Sequence, residues 1–203
     1  MKKYSWWILL GVMGISFLLS CNQSNESYHA AATNQADEKE IQYRIVNMDI
    51  DIPDTEMLNQ QGEKVKFKDL LQQDQLVYVQ FIFTTCPTIC PVLTGHFASF
   101  QEKFTPTNEK IQLISISMDP KYDTPKRLTA YAEKFDAGTN WTFLTGKREA
   151  VEEVQKAFDY YYGNKMYHKP VTYLKKPDTD NWTVFDGFIN GEELWEEYQN
   201  IRS

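Results

Sequence analysis

Between Gln75 and Phe83 the chain reads "QLVYVQFIF", a nearly unbroken run of aliphatic, β-branched and aromatic residues. So continuous a run predicts a central strand covered on both faces, because a half-exposed strand would alternate apolar and polar positions. A second run, "IQLISISM" from Ile111 to Met118, predicts another buried strand. Between the two, Val92, Leu93, Phe97, Phe100 and Phe104 recur at spacings that lay one apolar stripe along a helix from Pro91 to Phe104. Pro91 is compatible only with the first turn of such a helix, where its missing N–H is no loss. Further along, helices are expected from Pro125 to about Phe135, from Lys147 to about Tyr161 and from Glu192 to Ile201. Phe143-Leu144 is a short apolar piece, and Val171 to Leu174 and Trp182 to Phe188 are candidate strands. Upstream, Gln60-Gln61-Gly62-Glu63 supplies a turn between two short strand-like pieces, which reads as a hairpin, and Lys68-Asp69-Leu70-Leu71 suggests a helical turn.

Strands alternating with helices of this length predict an α/β fold: a βαβ core followed by an antiparallel hairpin and a last helix, with an N-terminal β-hairpin extension ahead of them. That order matches a thioredoxin-like layout. The folded domain is expected over 42–203, with no internal repeat and no second boundary. Ahead of it, "NQSNESYHAAATNQADEKE" has almost no large apolar residue and cannot offset its ordering entropy by burial, so 21–41 is expected to be a flexible polar linker. His29 lies in that spacer and is expected to be solvated. Residues 1–20 open with Met1-Lys2-Lys3, run apolar from Trp6 to Leu19 and reach Ser20 before Cys21, the layout of a secretory signal. The apolar stretch is short for a membrane span. The small residue before Cys21 resembles a bacterial lipobox, which implies cleavage after Ser20 and a lipid on Cys21; the alternative is an uncleaved N-terminal anchor. On either reading the domain is tethered to the membrane, outside the cytoplasm.

The chain carries a net charge of −7, and loss of residues 1–20 would remove Lys2 and Lys3 and bring it to about −9. An acidic surface repels phosphate backbones and gains nothing from counterion release, so no nucleic-acid partner is expected. Three cysteines, less the lipid candidate, leave Cys86 and Cys90 in a compartment where disulfides persist. A bridge closing so short a loop would constrain the unfolded chain little, so a purely structural staple is a poor use of these thiols.

Both thiols lie in "FIFTTCPTICP", at the carboxyl end of the first predicted strand and just before the helix, where ligands and chemistry collect in open α/β sheets. Unpaired N–H groups and the positive end of the helix favour a thiolate there, lowering the sulfur's pKa and making it both a nucleophile and a soft metal donor. A spacing of four puts both sulfurs on one side if the loop turns helically, and Pro87 and Pro91 restrict that loop. Three uses compete. A dithiol oxidoreductase normally has two residues between its cysteines and this chain has three, so exchange stays open without the usual motif. A peroxiredoxin-type peroxidase would want Pro and Thr where Val79 and Phe83 stand. A metal site needs a donor beyond two thiolates. His96, on the helix after Cys90, has no periodicity aiming it at the sulfurs and reads as an ordinary helix-face histidine. His168 lies in "YGNKMYHKPVTYL", a loop that in a thioredoxin-like layout packs beside the cysteine loop, yet the residues by themselves favour a structural or exposed histidine.

Taken together and in this order, "TTCPTICP", "SMDPKYDTP" and "YHKPVTYLKKPD" resemble the Sco/SenC family of copper-binding, thioredoxin-fold proteins that assist assembly of cytochrome c oxidase. The likeness runs from about Asp49 to the C-terminal helix. It implies that Cys86, Cys90 and His168 are copper ligands, with Cu(I) preferred for its affinity for sulfur and Cu(II) as the alternative. Asp123-Thr124-Pro125 reads by itself as a helix start, with Asp123 as the oxygen-bearing cap. The resemblance also makes Asp119 and Asp123 candidates for orienting the ligands or meeting a partner. Three features depart from the family pattern: Thr88 and Tyr167 stand where acidic residues are common, and "DTDNWTVFDG" lengthens the last hairpin. The implied function is a membrane-tethered metallochaperone serving the oxidase's copper-site subunit or another copper protein. A thiol:disulfide oxidoreductase using Cys86 and Cys90 as its redox pair, and a redox or copper sensor, are the alternatives.

Overall fold

The computed structural model describes residues 43–107, 109–177 and 179–202. Its centre is β4 (Leu76–Ile82), buried at every position as its unbroken apolar run requires. Parallel to it lies β5 (Ile111–Ser117), and parallel to that β6 (Trp141–Thr145); α2 (Ile89–Phe104) and α3 (Pro125–Glu133) make the two crossovers. On the other flank β7 (Val171–Lys175) pairs antiparallel with β4 and with β8 (Asn181–Gly187). The register Val171↔Asp186 through Lys175↔Trp182 settles the pairing that the lengthened hairpin left open. The predicted N-terminal hairpin, β2 (Glu56–Asn59) and β3 (Lys64–Lys66), joins the sheet beyond β6. Gly62 takes φ +83° in its turn, a conformation glycine adopts without steric cost.

Side chains alternate across the sheet. From β4, Tyr78 meets Phe100 of α2 edge-on at 4.9 Å, while Phe81 points the other way to Phe158, at the end of α4 (Arg148–Ala157), at 5.5 Å. Phe67, opening the short α1 (Phe67–Leu71), joins Phe158 on that second face. Each such fully buried aromatic contributes about 2–3 kcal/mol by removal from water. The last helix, α5 (Gly191–Arg202), packs on α2. A Cβ at Gly191 would lie 2.7 Å from the Phe100 backbone nitrogen and 2.8 Å from Ser99 Cβ, so this close approach requires glycine.

Two elements differ from the sequence reading. β1 (Tyr43–Asp49) was not predicted: it is largely exposed on both faces and is held by antiparallel pairing with β8, so no apolar alternation marks it. Val92, placed on the apolar stripe of α2, is 45 % exposed. The inward stripe runs instead through Cys90, Leu93, Thr94, Phe97, Phe100, Gln101 and Phe104. The expected signal segment, the linker with His29, and Cys21 lie outside the described residues, as does Asp178. Among the described residues no helix is long and apolar enough to cross a membrane.

Candidate metal centre

β4 stops at Ile82 and the chain turns immediately, the Cys86 N–H donating to the Phe83 carbonyl at 3.0 Å. α2 begins at Ile89, two residues before the expected start, so Cys90 lies inside its first turn and Cys86 just ahead of its N-terminus. This difference separates the two sulfurs chemically. The Cys90 N–H points at Cys86 Sγ from 3.4 Å, and Thr88 Oγ1 lies 4.0 Å from it. Burial pushes the Cys86 thiol up, but the donors of Cys90 and Thr88 outweigh it and hold the thiol below its ordinary value. Cys90 goes the opposite way. Although the Phe83 N–H reaches its sulfur at 3.4 Å, complete burial and the neighbouring Cys86 drive its pKa up. The expectation of a favoured thiolate thus holds for the outer sulfur and fails for the inner one, because desolvation exceeds what one amide supplies.

His168 arrives from the far side of the sequence. Asn164 caps a single 3₁₀ turn, Lys165–Tyr167, by accepting from the Met166 N–H at 3.0 Å, and His168 closes that turn. Its Nδ1 lies 2.7 Å from the Lys165 carbonyl. A carbonyl can only accept, so Nδ1 carries the proton; burial holds the ring's pKa below its ordinary value, keeping it neutral, and Nε2 presents a lone pair. That lone pair faces the thiols: Nε2 is 3.6 Å from Cys86 Sγ and 3.5 Å from Cys90 Sγ. Phe83 meets the imidazole edge-on at 5.1 Å. Tyr160, stacked on Phe81 at 4.5 Å, donates its hydroxyl to the Lys169 carbonyl and so ties down the residue after His168.

The three donor atoms lie within 4.8 Å of one another, the one such group of metal-ligating side chains among the described residues. Cys90 is fully buried and Cys86 and His168 are each 6 % exposed. Two sulfurs and an unprotonated imidazole nitrogen form a soft donor set, suited to a soft ion. The favoured structural or exposed role for His168 therefore gives way to a buried ring aimed at both sulfurs. His96, by contrast, is half-buried on α2 against Phe188, away from this group.

The acidic candidates stand behind the cluster. Asp123 is not the helix cap; Thr124 is, its side chain accepting from the Arg127 N–H at 3.4 Å. Asp123 is fully buried instead, and accepts from the Thr84 N–H at 3.1 Å, the Thr84 hydroxyl at 2.5 Å and the Ser117 hydroxyl at 2.6 Å. Asp119 forms an ion pair with Lys165, whose ammonium also lies 4.7 Å from the Phe83 ring centre. Sequence reasoning missed Phe83, Thr84, Tyr160 and Lys165 as supports. No periodicity marks them, and only the fold brings them to the thiols.

A parallel βαβ core continued by an antiparallel hairpin, with two thiols at the strand-to-helix turn and an imidazole opposite, defines a thioredoxin-like protein bearing a dithiol–imidazole centre. Residues 49–202 match the SCO1/SenC family, and the chain belongs to it. Among relatives, the SCO1 protein homolog of Bacillus subtilis is 34% identical over 140 residues, covering 65% of this chain and 72% of that protein. The structure of BsSco, a member of the Sco family of cytochrome c oxidase assembly proteins in which a disulfide switch was identified, is 28% identical, with a TM-score of 0.61 over 76% of this chain and 95% of that one. Arabidopsis thaliana ScoI with copper bound shares the fold, at 23% identity and a TM-score of 0.61, over 72% of this chain and 95% of that one.

Proposed function

We propose that this protein is a membrane-tethered, extracytoplasmic copper-binding metallochaperone that assists assembly of the copper site of cytochrome c oxidase. The observation that carries the reading is the convergence of Cys86, Cys90 and His168 into one buried, soft donor set. Membership of the SCO1/SenC family, with copper bound in the Arabidopsis relative, supports it. In this reading the three side chains are the ligands and Cu(I) is the preferred cargo, because thiolate sulfur selects it. Transfer is ligand exchange: a donor from the target replaces one sulfur while the other sulfur and the imidazole retain the ion. A lipid on Cys21 holds the domain at the extracytoplasmic face of the cell membrane, and the partner is the oxidase's copper-site subunit or another copper protein. The test is metal content and X-ray absorption of the reduced, copper-loaded protein. One copper with two sulfur neighbours and one nitrogen neighbour is expected; a protein that retains no copper, or copper without a nitrogen neighbour, overturns the assignment.

The unequal thiols favour one alternative, a thiol:disulfide oxidoreductase acting on the target's cysteines. Its nucleophile is Cys86, the sulfur with the lowered pKa. The Cys86 thiolate attacks a target disulfide, forms a mixed disulfide and releases one target thiolate. Cys90 then loses its proton and attacks Cys86, closing the Cys86–Cys90 disulfide and releasing the second target thiolate. The pair is oxidised by two electrons and the target reduced by two. A metal-free protein that exchanges its disulfide readily with a dithiol would favour this reading.

A further inference from the structure

The dithiol and the imidazole come from segments far apart in the chain, and the antiparallel pairing of β4 with β7 that brings them near each other ends at Gln80↔Thr172, short of both the cysteine loop and the histidine turn. A third segment touches both. The residues between β5 and α3 reach the cysteine loop through Asp123, which accepts from the Thr84 N–H and hydroxyl two residues before Cys86. They reach the histidine turn through Asp119, ion-paired with Lys165, whose carbonyl accepts from His168 Nδ1. Within the segment Asp123 is tied to the backbone of Asp119. The Ser117 hydroxyl donates to Asp123 and accepts from the Asp119 N–H at 3.0 Å, while the Asp123 N–H donates to the Asp119 carbonyl at 2.8 Å. Ser117 and Asp123 are fully buried, so this junction is part of the core.

We infer that the β5–α3 segment is a brace that sets the distance between the thiols and the imidazole: Asp123 positions the cysteine loop and Asp119 positions the histidine turn. Both are positioning residues, since neither carboxylate belongs to the donor cluster. The two arms act on different halves of the centre. Loss of the Asp119 arm frees the turn that carries His168 and leaves the dithiol undisturbed. Loss of the Asp123 arm loosens Thr84 and with it Cys86, and so alters the thiols themselves. The inference rests on the ligand assignment above, but the brace also leaves a mark on the metal-free protein, where the Lys165 carbonyl selects which imidazole nitrogen is protonated.

The test compares the full-length protein with Asp119→Asn, Asp123→Asn and the reversed pair Asp119→Lys with Lys165→Asp. Three properties are read: His168 tautomer by long-range nitrogen NMR without metal, Cu(I) affinity by competition with a chromogenic chelator, and the dithiol–disulfide potential in glutathione buffers. Asp119→Asn is expected to mix the two tautomers and weaken Cu(I) binding about 10-fold, the lower end for a group behind a ligand, with the potential unchanged. The reversed pair is expected to recover most of that loss, which a merely destabilising change would not. Asp123→Asn is expected to shift both affinity and potential. The brace is overturned if Asp119→Asn keeps a single tautomer and wild-type affinity, or if the reversed pair folds yet recovers nothing. A wild-type protein that shows the single tautomer but does not hold Cu(I) refutes the ligand assignment instead, and leaves the tautomer comparison to decide the brace.

Discussion

The two halves of the centre are built in opposite ways. The cysteine half is short in sequence and deep in the fold: its loop leaves a wholly buried strand, Cys90 sits within the first turn of a long helix, and Asp123 grips Thr84 from the core. The histidine half is a single 3₁₀ turn at the rim, where Met166 and Tyr167, next to His168, are 58 % and 70 % exposed. Segments with few buried contacts open at lower free-energy cost than core elements. The thiols are therefore the more firmly seated half of the centre, and the histidine turn is the half that opens at lower cost.

Substitutions can break this contrast or sharpen it. The largest effect is expected from Cys90→Ala, which should abolish copper retention and disulfide formation together. Metal content after gel filtration and thiol counting after mild oxidation check both. Retention of either function would show that the inner sulfur is not the anchor of the centre. Next comes His168→Ala, which should weaken Cu(I) binding by more than the roughly 10–100-fold seen when a group behind a ligand is lost, while thiol–disulfide exchange continues. A chelator competition run beside a glutathione titration separates the two.

The same residue makes a prediction about pH. Burial holds the folded His168 pKa below 6.5, so as pH falls through the ordinary range the unfolded chain takes up a proton before the folded one does. The metal-free protein should lose stability as pH drops below about 6.5 and stop losing it, as far as this group is concerned, once the folded value is passed. His168→Ala should flatten that slope in denaturant titrations. Acid should also weaken copper binding, since protons compete for both sulfur and nitrogen.

Tyr160→Phe is a smaller change. It removes the hydroxyl held by the Lys169 carbonyl while keeping the ring stacked on Phe81, at a cost of about 1 kcal/mol in a denaturant titration, with copper affinity falling more than the dithiol potential moves. The smallest effect should come from Tyr167→Ser, whose side chain is exposed: stability within about 0.5 kcal/mol of wild type and an unchanged affinity. A large loss of affinity at Tyr167 would mean that the rim of the histidine turn is as constrained as the cysteine loop, and the contrast would fail.

How far the sequence revealed all this depended on whether the causes were local. The runs that became β4 and β5 and the turn at Gly62 are set by neighbouring residues, and each element formed where the pattern placed it. β1 escaped notice because its stability comes from pairing with β8 at the other end of the chain. Periodicity gives the phase of α2 correctly for Leu93, Phe97, Phe100 and Phe104, but it does not give the width of the buried stripe, and Val92 lies just outside its edge while Cys90 lies within it. Asp123 looked like a cap because a cap is recognised by the helix-starting residues on its C-terminal side, whereas its burial beneath Thr84 is a tertiary fact. The thiols announced themselves by spacing and position. For His168 the local residues point to a bland role, and only the antiparallel pairing of β7 with β4 brings its turn to the thiols.

The contact at Gly191 couples two regions that otherwise have little in common. Because the start of the last helix lies directly against the backbone at Ser99 and Phe100, any side chain at 191 must lever α5 away from the helix that bears Cys90. How closely α5 seats on that helix thus depends on a single missing side chain. A bulky replacement there would part α5 from α2 at Ser99 and Phe100 while every donor atom remained chemically intact.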